Sequence, residues 1–372
     1  MKIGIDARMW NETGIGRYIR NIVYNIANLD TTNEYVIFLL TENIDQIQLP
    51  DNFKKVKADI KWNSFAEQII LPYIFYTEKL DLLFYPNFNI SIFYLKPIVV
   101  SIHDLTVLKF KTGRATTLPY PMYLLKRLAA HIAFNVAVVR ARAIFTVSNF
   151  VKADLLLKFK VDPNKVYVVG CGVEDTFQPI PFGDQLPILQ KYGISKPYLF
   201  YVGNAHPHKN LERLLFAFEK VSEKFPDLTL VLGGSKKFFY ERLETEWSHK
   251  PIFQRLRFVG YISDSDLPAL YSGSIAFVNP SLYEGFGLQL LEAFSCNTRV
   301  ICSNVSSLPE VGGKAPYYFN PVDVNNIAQI IEECLHDTNI GNRIEEGMNQ
   351  ASKYSWKSSS NKLLSLLLKY GK

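Results

Sequence analysis

The chain has 372 residues, 48% of them hydrophobic and 20% charged, ordinary values for a globular protein but longer than the roughly 250 to 300 residues at which one core stops growing, so two domains are expected. Its formal charge is +6, and residues 96–165 carry 12 Lys and Arg against 3 Asp and Glu, a bias that suits an anionic partner. Composition and motifs disfavour several classes: the four cysteines lack zinc-site or disulfide-framework spacing, the start Met1-Lys2-Ile3-Gly4-Ile5-Asp6 has no signal-peptide apolar core, no uninterrupted apolar run approaches the ~18 residues of a membrane span, and no zinc finger, RRM or helix-turn-helix supports nucleic acid as a partner.

Taken in order, residues 2–6 read as a short strand, and Gly14-Ile15-Gly16 opens a helix with Tyr18, Ile19, Ile22, Val23 and Ile26 at helical spacing. A lone GxG after a strand fits a phosphate loop and an ordinary tight turn equally well. Strands follow at 35–40, 82–85, 97–102, 143–147 and 166–169, with helices at 65–76, 120–140 and 150–159. Apolar strands alternating with helices predict a parallel sheet covered on both faces, whose ligands lie beyond the carboxyl ends of the strands. His103-Asp104 and Thr146-Val147-Ser148 fall at such ends, where His103 can cap the strand or meet a ligand.

Periodicity breaks between 172 and 196, where Phe177-Gln178-Pro179-Ile180-Pro181-Phe182-Gly183-Asp184 is rich in turn formers and is the best linker candidate. A second series places strands at 198–203, 228–232, 257–259, 275–278, 299–302 and 317–319. Its first turn, Gly203-Asn204-Ala205-His206-Pro207-His208-Lys209-Asn210, enters a helix with Asn210 placed to cap it. Lys209 at a helix start opposes the dipole unless it is solvated or an anion offsets it. Asp264-Ser265-Asp266 precedes another helix start and reads as a cap rather than as a divalent-metal pair.

After the apolar strand Ile275-Ala276-Phe277-Val278-Asn279 comes Pro280-Ser281-Leu282-Tyr283-Glu284-Gly285-Phe286-Gly287-Leu288-Gln289-Leu290-Leu291-Glu292-Ala293-Phe294, a tight turn into a helix. The glycines let the amides of Phe286, Gly287 and Leu288 point outward at the positive end of the helix, a place for anions and hydroxyls. Glu292, eight residues after Glu284, lies about two turns further along. On their own, two acids near a helix start are also just a favourable dipole placement.

Together, Tyr283-Glu284-Gly285-Phe286-Gly287-Leu288 and the Glu284/Glu292 spacing resemble the signature of family 4 (group 1) of the retaining, nucleotide-sugar-dependent glycosyltransferases of GT-B fold. The resemblance spans nearly the whole chain, is strongest over 198–312, and is closest to bacterial and archaeal members that add mannose or related sugars to surface polysaccharides. Asn297 and Arg299 stand where that subset usually has Gly and Pro, and Asn297 can still take the left-handed turn that ends a helix.

The resemblance implies an α/β protein of GT-B fold, two Rossmann-like domains with parallel sheets facing across a cleft. An acceptor-side domain would take 1–175, with the helix at 356–370 packing back on it, and a donor-binding domain 192–355. It implies that Glu284 and the amides of Phe286, Gly287 and Leu288 hold the transferred hexose and that Glu292 binds the nucleotide ribose. Gly16 would let the backbone touch the donor phosphate, and His103 would lie beside the transferred sugar. Lys209 would clamp the diphosphate, with Asn204 or His208 standing where many members have Arg, and the Tyr261-Ile262 backbone would meet the nucleobase. His103, Lys209 and Glu284 are then the residues expected at the chemistry.

The expected reaction moves a hexose, mannose from GDP-mannose as the first choice, to a hydroxyl of a glycan or lipid-linked acceptor, with no metal and no other cofactor. A sugar-nucleotide epimerase of the same fold and a non-catalytic sugar binder are the alternatives. The expected location is cytoplasmic, with peripheral contact at the inner face of an anionic membrane: Tyr123 to Phe134 is apolar along one side and carries Lys126 and Arg127, with Arg140 and Arg142 beyond. The same stripe also suits an ordinary helix with its apolar side turned to the core.

Overall fold

Short, mostly apolar runs of three to six residues become the strands of two sheets, and every strand pairing among the described residues is parallel. The computed structural model describes residues 1–62, 64–110, 119–235 and 238–372. They divide into a first unit of 1–109, 119–171 and 355–372 and a second holding 172–354 together with Phe110.

The first unit runs β1 (Lys2–Asp6), α1 (Gly14–Leu29), β2 (Glu34–Leu39), α2 (Thr41–Ile44), β3 (Phe53–Lys57), α3 (Phe65–Thr77), β4 (Leu82–Tyr85), β5 (Ile98–Ile102), α4 (Thr106–Lys109), α5 (Tyr120–Arg140), β6 (Ala143–Thr146), α6 (Asn149–Lys158) and β7 (Val166–Val168). Its seven strands lie in the order β3-β2-β1-β4-β5-β6-β7, so the winding reverses between β1 and β4. Strand β3, Phe-Lys-Lys-Val-Lys, was not expected from the sequence: its lysines break the apolar pattern, as suits an edge strand protected from further pairing.

The second unit runs α7 (Phe182–Lys191), β8 (Tyr198–Val202), α8 (Leu211–Lys224), β9 (Thr229–Gly233), α9 (Phe238–Trp247), β10 (Leu256–Gly260), α10 (Leu267–Gly273), β11 (Ala276–Asn279), α11 (Leu288–Ser295), β12 (Arg299–Ser303), α12 (Leu308–Gly312), β13 (Tyr317–Phe319), α13 (Val324–His336) and α14 (Ile340–Ala351). Its six strands lie in the order β10-β9-β8-β11-β12-β13, with the reversal between β8 and β11. Helix α7 occupies part of the stretch expected as a linker; it starts after Pro181 and packs against α10, with Gln185 Nε2 donating to Ile180 O. Asn297 closes α11 at φ 56°, the left-handed turn expected of it.

The last helix, α15 (Trp356–Gly371), belongs to the first unit. Trp356 meets Tyr18 edge-on at 6.0 Å, and Arg142 Nη1 donates to Tyr370 O at 2.8 Å. Helix α5 has the length and apolarity to cross a membrane even though Lys126 and Arg127 interrupt its apolar run. Its C-terminal third is part of the fold, however: Phe134, Ala137 and Val138 are buried, and Arg140 donates to Ile92 O and Tyr94 O.

Candidate active site

In the second unit the chain leaves β11 through a turn that serines hold. Asn279 Oδ1 accepts from Ser281 N, Ser306 Oγ accepts from Glu284 N, and the buried Ser307 hydroxyl reaches Glu284 O and Phe286 O, both at 2.9 Å. Gly287 then starts α11 at φ 100°, and a Cβ there would also come within 2.8 Å of Leu308. Among the described residues no group accepts from the amides of Phe286, Gly287 or Leu288. These amides sit at the positive end of α11, where an oxyanion or a sugar hydroxyl can take up their bonds.

The chain leaving β8 meets this turn. Leu282 N donates to His208 O at 2.8 Å, and Lys209 Nζ lies 2.7 Å from Glu284 Oε1, which also accepts from Ser281 Oγ. Both side chains of the ion pair are 12% exposed. Burial alone would push the Glu284 carboxyl up, but the Lys209 charge and hydrogen bond, the Ser281 hydroxyl and His208 hold it below its ordinary 4.5. Glu284 is thus a charged acceptor, and it is the anion that offsets Lys209 at the start of α8. Burial, and then Lys209, hold His206 below its ordinary 6.5.

Asn210 does not cap α8 with its side chain. It takes the left-handed conformation at φ 61°, and its Nδ2 donates to Pro280 O and Pro321 O, so one amide ties the β8 and β11 loops together. Asp266 stands at the N-cap of α10, yet its carboxylate accepts from Lys191 Nζ and Tyr192 Oη instead of the helix amides. These ties join residues far apart in sequence, and the sequence pattern carried no sign of either.

Glu292 lies in the second turn of α11, 3% exposed, and accepts from Tyr271 Oη at 2.8 Å. Tyr261, just past β10, is 69% exposed, and its neighbour Ile262 is buried against Gly233. Asn204 uses its side chain on His206 N and its carbonyl on Tyr201 Oη.

Gly16 and His103 belong to the first unit, and Tyr18, two residues after Gly16 in α1, packs on His103. Its ring meets His103 edge-on at 4.7 Å, and its hydroxyl lies 3.1 Å from Ser101 Oγ. His103 Nε2 is 2.6 Å from Pro86 O, so in the donating tautomer Nδ1 is left as an acceptor. Burial lowers the His103 pKa below its ordinary 6.5 and keeps the ring neutral, against smaller opposing pulls from Pro86 and Asp104. A Cβ on Gly16 would fall 2.5 Å from Trp10 O and 2.9 Å from Met9 O, so its bareness serves a close backbone approach inside the unit itself.

One further cluster lies at this sheet end, and its partner Glu67 is remote in sequence from Asp6 and Arg8. Arg8 is buried, bidentate to Asp6 and bonded to Glu67 Oε1 at 2.6 Å, while Asn89 holds both Glu67 oxygens. Its parts come from β1, α3 and the segment after β4, which fixes the loops around the β1/β4 reversal.

Residues 185–351 match the family described as Glycosyl transferases group 1, and 56–177 match Glycosyltransferase Family 4. The O-antigen chain mannosyltransferase B of Escherichia coli is 30% identical over 365 residues, covering 92% of this chain and 93% of its own. Among solved structures, the sucrose-phosphate synthase tll1590 of Thermosynechococcus elongatus superposes with a TM-score of 0.79 at 18% identity, covering 99% of this chain and 98% of its own. Alr3699/HepE of Anabaena, solved with UDP and glucose, gives 0.77 at 16% identity, covering 99% of each chain.

Proposed function

The chain belongs to the group 1 (family 4) glycosyltransferases, and from that premise we propose that it transfers mannose, with retention of configuration, from a nucleoside diphosphate donor to a hydroxyl of a growing surface glycan or its lipid-linked precursor. The observation that carries this reading is the Lys209–Glu284 pair at the β8/β11 reversal, beside the amides of Phe286, Gly287 and Leu288. In the transfer, the bond from the anomeric carbon to the diphosphate breaks and one to the acceptor oxygen forms. The acceptor proton passes to the departing diphosphate or to solvent. Negative charge grows on the leaving group, and a buried cation with fixed amides offsets it without reorganising solvent. Glu284, held ionised, accepts from sugar hydroxyls, and in the first unit neutral His103 keeps a ring nitrogen free to accept. Glu292 takes the ribose and the backbone at Tyr261 and Ile262 the base, while Asn204 and His208 flank the phosphates. No metal is required, and the enzyme works in the cytoplasm at the inner face of the membrane. The mannosyltransferase similarity over nearly the whole chain supports the sugar assignment.

The test is turnover of GDP-, UDP- and ADP-sugars with and without a mannan-type acceptor, in the presence and absence of EDTA, with the product anomer read by proton NMR. Acceptor-dependent formation of an α-mannoside from GDP-mannose, unaffected by EDTA, supports the proposal. Release of an epimer without acceptor, or binding without turnover, overturns it.

A further inference from the structure

Helix α3 keeps one side in the first unit through Leu71 and Phe75, and turns large apolar groups outward on the other. Phe65 is 89% exposed, and Ile69 and Tyr73, at successive four-residue steps, are each 71% exposed. Residues 88–95 carry this surface toward α5. Gln68 bonds to Ile90 O and Ile92 N, Tyr76 Oη accepts from Leu95 N, Arg140 holds Ile92 O and Tyr94 O, and Phe88 packs on Phe134 at 5.0 Å. Phe93 and Leu95 stand exposed in that segment, and α5 continues with exposed Leu125, Leu128 and Ile132. An apolar surface of this breadth is unusual on a protein that meets only water.

Its charges are of one sign. Lys96 and Lys126 are exposed and Arg127 is half-buried, whereas the single acid of these segments, Glu67, is buried against Arg8. Two copies meeting through this face would set cation against cation with no carboxylate to answer them, which disfavours self-association. An anionic lipid surface satisfies both features: apolar and tyrosine side chains enter the boundary between headgroups and acyl chains, and the long cations reach the headgroups. Because α5 is packed into the unit over its last third, it lies along such a surface instead of crossing it.

We propose that α3, residues 88–95 and the N-terminal half of α5 form one face that docks on anionic phospholipid bilayers by partial insertion. The inference rests on the proposed function for its purpose, delivery of a lipid-linked acceptor, but the surface is independent of the transfer chemistry. The experiment is co-sedimentation of the full chain with phosphatidylcholine vesicles, with and without phosphatidylglycerol. The chain as it stands is compared with Ile69→Asp/Tyr73→Asp and with Lys126→Glu/Arg127→Glu. Each pair should weaken partitioning into anionic vesicles by about tenfold or more, at roughly 1 kcal/mol per side chain; salt should weaken binding of the unchanged protein, and donor turnover in solution should persist in both variants. Equal partitioning of the unchanged protein and Ile69→Asp/Tyr73→Asp overturns the proposal. So does a dimer in sedimentation velocity that this pair dissolves, which would assign the face to a second copy. Vesicle binding without donor turnover would sink the transferase reading and leave the docking face standing.

Discussion

Lys209 Nζ and Glu284 Oε1 lie 2.7 Å apart although 75 residues separate them in sequence. The contact exists because the loops after β8 and β11 are neighbours where the strand order turns, and Asn210 holds those loops in place through Pro280 O. A buried cation and a buried carboxylate are each costly alone and tolerable together. On the proposed function, the cation of this pair is the one that the donor diphosphate engages.

Lys209→Ala should separate these roles. Calorimetry should find nucleoside diphosphate affinity reduced by one to two decades, about the 1.5 to 3 kcal/mol of a charged hydrogen bond, with nucleoside affinity nearly unchanged. Stability should fall as well, because Glu284 loses its counter-charge. The depressed Glu284 pKa contributes stability that is present above its ordinary 4.5 and lost as pH falls through the lower folded value. Melting curves of Lys209→Ala should then lose most relative to the unchanged protein at pH 7 and converge with it in acid. Lys209→Ala/Glu284→Gln should be less destabilised at pH 7 than Lys209→Ala alone; additive losses would remove the case for coupling.

The two glutamates should fail differently. Glu284→Gln should mainly lower kcat, and Glu292→Gln should mainly raise the donor KM, each by about one to two decades. Tyr271→Phe is the structural companion: it leaves Glu292 in place but removes the buried hydroxyl that donates to it. That change should cost roughly 1 to 3 kcal/mol in urea unfolding and shift the donor KM in the same direction as Glu292→Gln. Unchanged kinetics in both glutamate variants would withdraw these residues from the donor site.

What the sequence made legible was local. Leu82–Tyr85 is a plain apolar run and Tyr120–Arg140 a long helical pattern, and both lie where periodicity puts them. The turn at Gly287 and the Glu284/Glu292 spacing are also local, since a strand, a glycine turn and a helix start are written in consecutive residues. Strand β3 was hidden because edge strands tolerate lysines, and α7 because Pro181, Gly183 and Pro187 signal turns even where a helix can begin on one proline and bend at another. The couplings of Lys209 to Glu284, Asp266 to Lys191 and Arg8 to Glu67 depend on which strands become neighbours, and single-residue patterns carry none of that information.

His103 should stay neutral through the physiological range. Burial lowers its pKa below the ordinary 6.5, so the unfolded chain takes up the proton first as pH falls. The contribution of this group to stability is therefore complete above about 6.5 and declines below it. Nitrogen NMR should show a midpoint below that value and a proton on Nε2, the atom facing Pro86 O. A ring that titrates above 6.5, or carries its proton on Nδ1, would contradict the neutral-acceptor assignment.

The two glycines that open α1 provide the sharpest contrast. At Gly16 a methyl group would meet Trp10 O at 2.5 Å and Met9 O at 2.9 Å. Those are backbone atoms, and Trp10 O is further held by Arg20 Nη1 at 2.6 Å, so the neighbour cannot step aside. Gly16→Ala should cost about 1 to 3 kcal/mol in urea unfolding, as overpacking does in tight interiors. At Gly14 nothing lies within 4 Å of the added carbon, and φ is not in the left-handed region. Gly14→Ala should be neutral, or stabilising by up to about 1 kcal/mol, because alanine restricts the unfolded chain. Donor kinetics under conditions where both variants stay folded then separate packing from binding. If the Gly16 backbone also touches the donor phosphate, Gly16→Ala should raise the donor KM while Gly14→Ala leaves it alone. A destabilised Gly16→Ala enzyme with unchanged KM would make Gly16 a packing residue and move the phosphate contact elsewhere.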